Sequence, residues 1–248
     1  MSDEEIHALA DDSIAEDGIV CAAAVFPASR IPPAEAVLVR SKKEVGVPPD
    51  TVLHCRILFA GDARRKTLWR CVSPEGIYAM AQNLCEALKP IGLQPIVALI
   101  DRALVQPAFP VPGSPAQMPS EKESASWAYG AVATNLVDGH QGKPIRMWLD
   151  PDSTRIPWGG KRARADQTRK SFWINLKQGQ QPLQIQPQIA DRPKPCLLEI
   201  ADLYAYITVQ AHSGRGGQRV ERFKHLYKII DPVRLRFAFP KGPQPWSE

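Results

Sequence analysis

The sequence predicts an α/β protein: a mixed sheet that begins with an antiparallel hairpin and is flanked by helices. Three observations lead there. A short apolar-leaning run, Glu5 to Ala10, is followed after a polar turn by the wholly apolar run Ile19 to Phe26, which reads as two strands joined in a hairpin. In the second half, strand-like runs alternate with helical ones, the pattern of parallel strands with crossover helices. The 248 residues show no internal repeat and no sharp change of composition, so residues 1–240 are expected to form one domain, with a loose proline-rich tail at 241–248.

Taken in order, Glu16-Asp17-Gly18 is the turn signal of the hairpin and Pro27 closes its second strand. Ala34 to Val45 fits either regular element, and Thr51 to Phe59 is unassigned. Ser73-Pro74-Glu75 starts a helix with a hydroxyl cap, proline at the first position and an acid in the first turn. Ile77, Met80, Ala81, Leu84 and Leu88 then recur at helical spacing until Pro90 and Gly92. Leu93 to Ile100 reads as a strand, and the five prolines within 104–119 mark an irregular loop. Ser120 and Glu123 form a capping-box pattern for a helix reaching about Val137. Ile145 to Leu149 and Leu183 to Ile189 are strands, and Cys196 to Val209 and Gln218 to Ile230 are helices.

Composition narrows the function classes. Net charge is +5, with 31 Lys and Arg against 26 Asp and Glu, which is compatible with a nucleic-acid partner without requiring one. The five cysteines are widely spaced and contain no C-x-x-C pair, so they read as free thiols of a reducing compartment rather than a zinc site or disulfide framework. The acidic beginning MSDEEIHALADD is unlike a signal peptide, and Ile19 to Pro27 is too short to span a bilayer. The expectation is a cytoplasmic protein without a membrane partner. Zinc-protease, serine-hydrolase, P-loop and dinucleotide-binding motifs are absent.

The chemistry concentrates in aspartates. Strand-like runs end in Asp11, Asp101, Asp150 and Asp191, and ligands of open α/β sheets gather beyond the carboxyl ends of strands. Asp202 lies inside an apolar helical run, where an aspartate is unfavourable unless partnered. Carboxylates drawn together repel, and a hard cation such as Mg²⁺ or Mn²⁺ relieves that repulsion. Singly, each such aspartate is as well explained by a turn or a surface ion pair; the set is what points to a site.

Ala10-Asp11-Asp12-Ser13, Trp148-Leu149-Asp150, and Asp191 followed by Leu198-Glu199-Ile200-Ala201-Asp202-Leu203 together resemble the domain of unknown function 3800 family, from about residue 8 to residue 210. The resemblance implies a ribonuclease H-like fold and a divalent-metal-dependent nuclease, with Asp11, Asp150 and Asp202 as catalytic metal ligands for Mg²⁺ or Mn²⁺. Asp12, Asp191 and His54 are second choices, as ligands or as groups that hold a ligand in place. The chain departs from the family pattern at Asp12, where Glu is usual, at Ile14, where Gly is usual, and at Glu199, where Gln is usual. A helix glutamate to complete the acidic set is not evident; Glu75, Glu123 and Asp138 are the candidates. Two cations would activate a water and stabilise the leaving oxygen of a phosphodiester.

Lys161, Arg162, Arg164, Arg169 and Lys170, flanked by Trp158, Phe172 and Trp173, are the expected nucleic-acid contacts, cations for phosphates and aromatics for bases. Arg215, Arg219, Arg222, Lys224 and Lys228 form a second basic cluster that fits a solvated helix face equally well. The alternative to a nuclease is a catalytically inactive nucleic-acid-binding or protein-interaction module of the same fold.

Overall fold

The structure is a computed structural model, and it describes residues 4–14, 18–101, 121–150, 185–190, 195–212, 217–237 and 243–245. Its strands are β1 (Ile6–Ile14), β2 (Gly18–Pro27), β3 (Gln94–Asp101), β4 (Ile145–Leu149), β5 (Ile185–Ile189), β6 (Val233–Phe237) and β7 (Pro243–Pro245). Its helices are α1 (Ile31–Glu44), α2 (Cys55–Leu58), α3 (Gly61–Arg65), α4 (Pro74–Leu88), α5 (Glu121–Gly139), α6 (Leu198–His212) and α7 (Gln218–Ile230). All strands join one sheet in the order β5-β4-β1-β2-β3-β6-β7. β1, β2 and β3 pair antiparallel, whereas β4 runs parallel to β1 and β5 parallel to β4. This is the predicted mixed sheet with its leading hairpin.

Several elements differ from the sequence reading. β1 does not stop at Ala10 but continues through Asp11 and Asp12 to Ile14, paired with β2 all the way. Polar residues there look like a turn, yet the β2 partner supplies the ladder that keeps them extended. The ambiguous 34–45 stretch is helical, opened by Pro32 and Pro33 in the first turn. The unassigned 51–59 stretch is a loop leading into the single turn α2. Pro243–Pro245, assigned above to a loose tail, pairs with β6 as an edge strand, and β6, absent from the elements expected above, follows the apolar–polar alternation of Val233 to Phe237. α4 begins as expected, with Ser73 Oγ accepting from Gly76 N at 3.0 Å.

Alternation along the strands sorts the core into two halves. Leu9, Val20, Ala22, Ala24, Phe26 and Val97 face α1, α4, α6 and α7. Ala8, Ala10, Cys21, Ala23, Val25 and Ala98 face α5. β2 is therefore buried on both sides, from Gly18 through Phe26, and its three successive alanines leave room for a helix layer on each face. Gly18 is required by close approach: a Cβ there would stand 2.6 Å from the Ile100 carbonyl oxygen. No helix among the described residues is long and apolar enough to cross a membrane.

Candidate functional site

Register brings the aspartates together. β1 and β4 pair as far as Ala10 and Leu149, so Asp11 and Asp150 are each the next residue beyond the last shared rung. Asp11 lies opposite Ala22 on β2, on the α6 side of the sheet. Trp148 packs on that same side, and Asp150, two residues on, keeps its parity. α6 runs across this face and carries Asp202, which is buried apart from 9% of its surface, as is Asp150.

The charges of this set meet at Asp11. Its side chain keeps some surface open, yet its carboxyl is held well above the ordinary aspartate value. Desolvation by the surrounding protein is the largest cause, followed by the charges of Asp202, Asp150 and Asp12. The Asp12 backbone N–H, donating to Asp11 Oδ1 at 2.8 Å, offsets this in part.

Asp202 is built into the site by a segment the sequence left unassigned. Cys55 N donates to Asp202 Oδ2 at 2.8 Å. His54 Nδ1 lies 3.1 Å from the same oxygen, with half of the histidine side chain exposed. A carboxylate only accepts, so Nδ1 carries the hydrogen in this contact. One turn earlier on α6, Glu199 accepts from Leu53 N at 3.1 Å and pairs with the buried Lys42 ammonium at 2.6 Å. Lys42 Nζ also donates to the Pro49 carbonyl at 3.2 Å. Two acids on one helix face thus take the backbone N–H groups of residues 53 and 55, fixing His54 between them.

Asp12, adjacent in sequence, goes the other way. It lies opposite Cys21, on the α5 side, where the buried Tyr129 hydroxyl donates to its Oδ1 at 3.0 Å. Nothing in the sequence singled out Tyr129 or Lys42, and Glu199 stood out only as a departure from the family motif. An acid-to-basic pairing over such distances leaves no local periodicity to read. Of the candidate helix acids, Glu75 on α4 lies 3.8 Å from Arg222 with most of its side chain exposed, and Asp138 is exposed. The side chains of Glu123 and Asp101, all of Asp191, and the basic stretch from Lys161 to Lys170 lie outside the described residues.

Three of the five thiols behave as core groups. Cys21, Cys55 and Cys85 are buried, Cys196 is partly buried and Cys71 is exposed. Burial raises Cys55 well above the ordinary thiol value, and the Asp202 and Asp11 charges raise it further, which leaves it protonated and poor as a nucleophile.

Three carboxylates with only oxygen donors, two of which penalise the charge on Asp11, suit a hard divalent cation in chemistry and in charge. Among the described residues, no three or more His, Cys, Asp or Glu side chains are already arranged as a metal-holding group. The set is thus a concentration of negative charge rather than a finished coordination cage.

No family model matches the chain, and no curated protein matches it. Among solved structures it is similar to a mutant form of Bst-RNase HIII, with 13% sequence identity and a TM-score of 0.43 over 92% of this chain. The chain spans 64% of the length of that protein. Independently of that match, the sheet has three antiparallel strands continued by two parallel ones, with helices on both faces, the arrangement that the sequence reading expected of a ribonuclease H-like fold.

Proposed function

We propose that this chain is a divalent-metal-dependent nuclease that hydrolyses phosphodiesters, with Asp11, Asp150 and Asp202 holding Mg²⁺ or Mn²⁺. The observation that carries this reading is the meeting of charges at Asp11, whose carboxyl feels Asp202 of α6 and Asp150 at the end of β4. When bound, the cations supply Lewis acidity and an activated water. The residues of the chain do the positioning. Cys55 N–H and His54 orient Asp202, and the Asp12 N–H orients Asp11.

A second reading, a nucleic-acid-binding module without turnover, draws support from Asp202 Oδ2, which already accepts from two donors. One experiment separates the two. Single-stranded RNA, single-stranded DNA and RNA–DNA hybrid are incubated with the protein in Mg²⁺, Mn²⁺ or EDTA. The nuclease reading expects cleavage of at least one substrate, abolished by EDTA and reduced at least about a hundredfold in Asp150→Asn, as for loss of a group that stabilises transition-state charge. Binding without cleavage in any metal would reject it in favour of the module.

A further inference from the structure

The stretch from Arg56 to Arg70 carries Arg56, Arg64, Arg65, Lys66 and Arg70 against the single acid Asp62. It begins two residues after His54, and so starts at the carboxylate site. Arg56, Arg65, Lys66 and Arg70 are exposed, while Arg64 is half-buried and donates from Nη1 to the Leu58 carbonyl at 3.0 Å. The one acid pairs with Arg65 at 3.5 Å with both side chains almost wholly in water, a contact that neutralises little.

The segment is held rigidly to the domain. Trp69 is buried and donates from Nε1 to the Val52 carbonyl at 3.0 Å. Thr67 Oγ1 accepts from Trp69 N at 3.2 Å and donates to the Arg64 carbonyl at 2.8 Å. Phe59 stacks on Tyr206 of α6 with ring centres 5.4 Å apart and meets Phe223 of α7 edge-on at 5.0 Å. On the same aromatic cluster, Arg222 lies 4.9 Å over Tyr78. Arg219 lies 5.9 Å over Phe223 and donates to Tyr206 Oη at 2.9 Å. The arginines of α7 are therefore neighbours of the 56–70 segment, and Leu68 and Val52, the exposed large hydrophobic side chains among the described residues, sit within it or beside it.

We propose that residues 56–70, with Arg219 and Arg222 of α7, form a preordered platform for the phosphate backbone of a nucleic acid leading into the carboxylate site. A segment whose backbone is already held in place binds polyanions through its cations without first having to be ordered. The apolar surface of Leu68 and Val52 among those cations suits contact with bases or sugars. The inference rests on nucleic acid being the partner of the proposed nuclease, and it assigns a binding surface beyond the stretch from Lys161 to Lys170.

The test measures binding alone, so that it does not depend on catalysis. Asp150→Asn protein in EDTA is titrated with fluorescently labelled single-stranded RNA and DNA across a salt series. The same protein carrying Arg65→Ala, Lys66→Ala and Arg70→Ala should bind at least about tenfold more weakly, with the slope of log affinity against log salt smaller by about 2, the value for three lost single-strand phosphate contacts. Arg65→Lys with Arg70→Lys should keep most of the affinity, and Lys143→Glu, before the opposite end of β4, should leave it unchanged. Thermal unfolding of each variant confirms folding. An unchanged affinity and slope in the triple variant overturns the proposal. So does competition by polyglutamate as effective as that by unlabelled nucleic acid, which would make the partner an acidic protein. If the platform binds but no substrate is cleaved in any metal, the nuclease reading falls and the platform stands.

Discussion

Glu199 and Asp202 are one turn apart on α6 and are treated in opposite ways. Glu199 is supplied with a buried cation of its own, Lys42 at 2.6 Å, and with the Leu53 N–H. Asp202 receives hydrogen bonds from Cys55 N and His54, and its nearby charges include the carboxylate of Asp11. The first acid is closed by the protein itself and serves to pin the loop before α2. The second is oriented but left among like charges. A buried acid that only builds structure brings its counter-charge with it, whereas an acid set among acids leaves that charge to the proposed metal.

The largest effect expected from breaking this contrast is on the closed pair. Lys42→Met removes the ammonium from Glu199 and should destabilise the protein by about 3–5 kcal/mol in denaturant unfolding, the usual cost of breaking a buried pair. Adding Glu199→Gln to it should return much of that loss. If Lys42→Met alone is neutral, the pair is not what holds the loop.

A smaller effect should come from the open set. An aspartate raised in the folded protein binds its proton more tightly than the unfolded chain does. Stability in EDTA should therefore fall as pH rises from the ordinary 3.8 through the raised value of Asp11, and the penalty is complete above it. Asp11→Asn should flatten that dependence. Mn²⁺ at a hundred times its dissociation constant should stabilise the wild type by about 2.7 kcal/mol at neutral pH and Asp11→Asn much less; equal stabilisation of both would place the metal elsewhere.

The smallest effect belongs to the other face of the sheet. Tyr129→Phe removes the hydrogen bond to Asp12 and should cost about 1 kcal/mol. It should leave the Mn²⁺ stabilisation intact, because Asp12 lies on the α5 side of the sheet while Asp11 and Asp150 lie on the side covered by α6, which carries Asp202. A loss of metal response in this variant would bring Asp12 into the site after all.

The sheet was legible because its signal is local. β2 is a continuous apolar run, and α4 announces itself with Ser73, Pro74 and a 3.6-residue apolar stripe. The aspartates were legible as a set because strand ends and an acid in an apolar helix are both visible along the chain. What was not legible depends on distant pairing. β1 runs on through Asp11 and Asp12 because β2 pairs with it, and the loop before α2 takes its shape from two acids on α6. The opposite directions of Asp11 and Asp12 follow from two-residue alternation, but only once the strand is known to continue past Ala10.

The candidate ligands stand at residues 11, 150 and 202, on β1, just past the end of β4 and on α6, which meet only in the finished fold. A chain emerging from the ribosome has its hairpin early but lacks the third carboxylate until α6 has been made and has docked. No shorter fragment ending before Asp202 can assemble the group, so any activity that depends on it is withheld from nascent and truncated chains without a separate inhibitor.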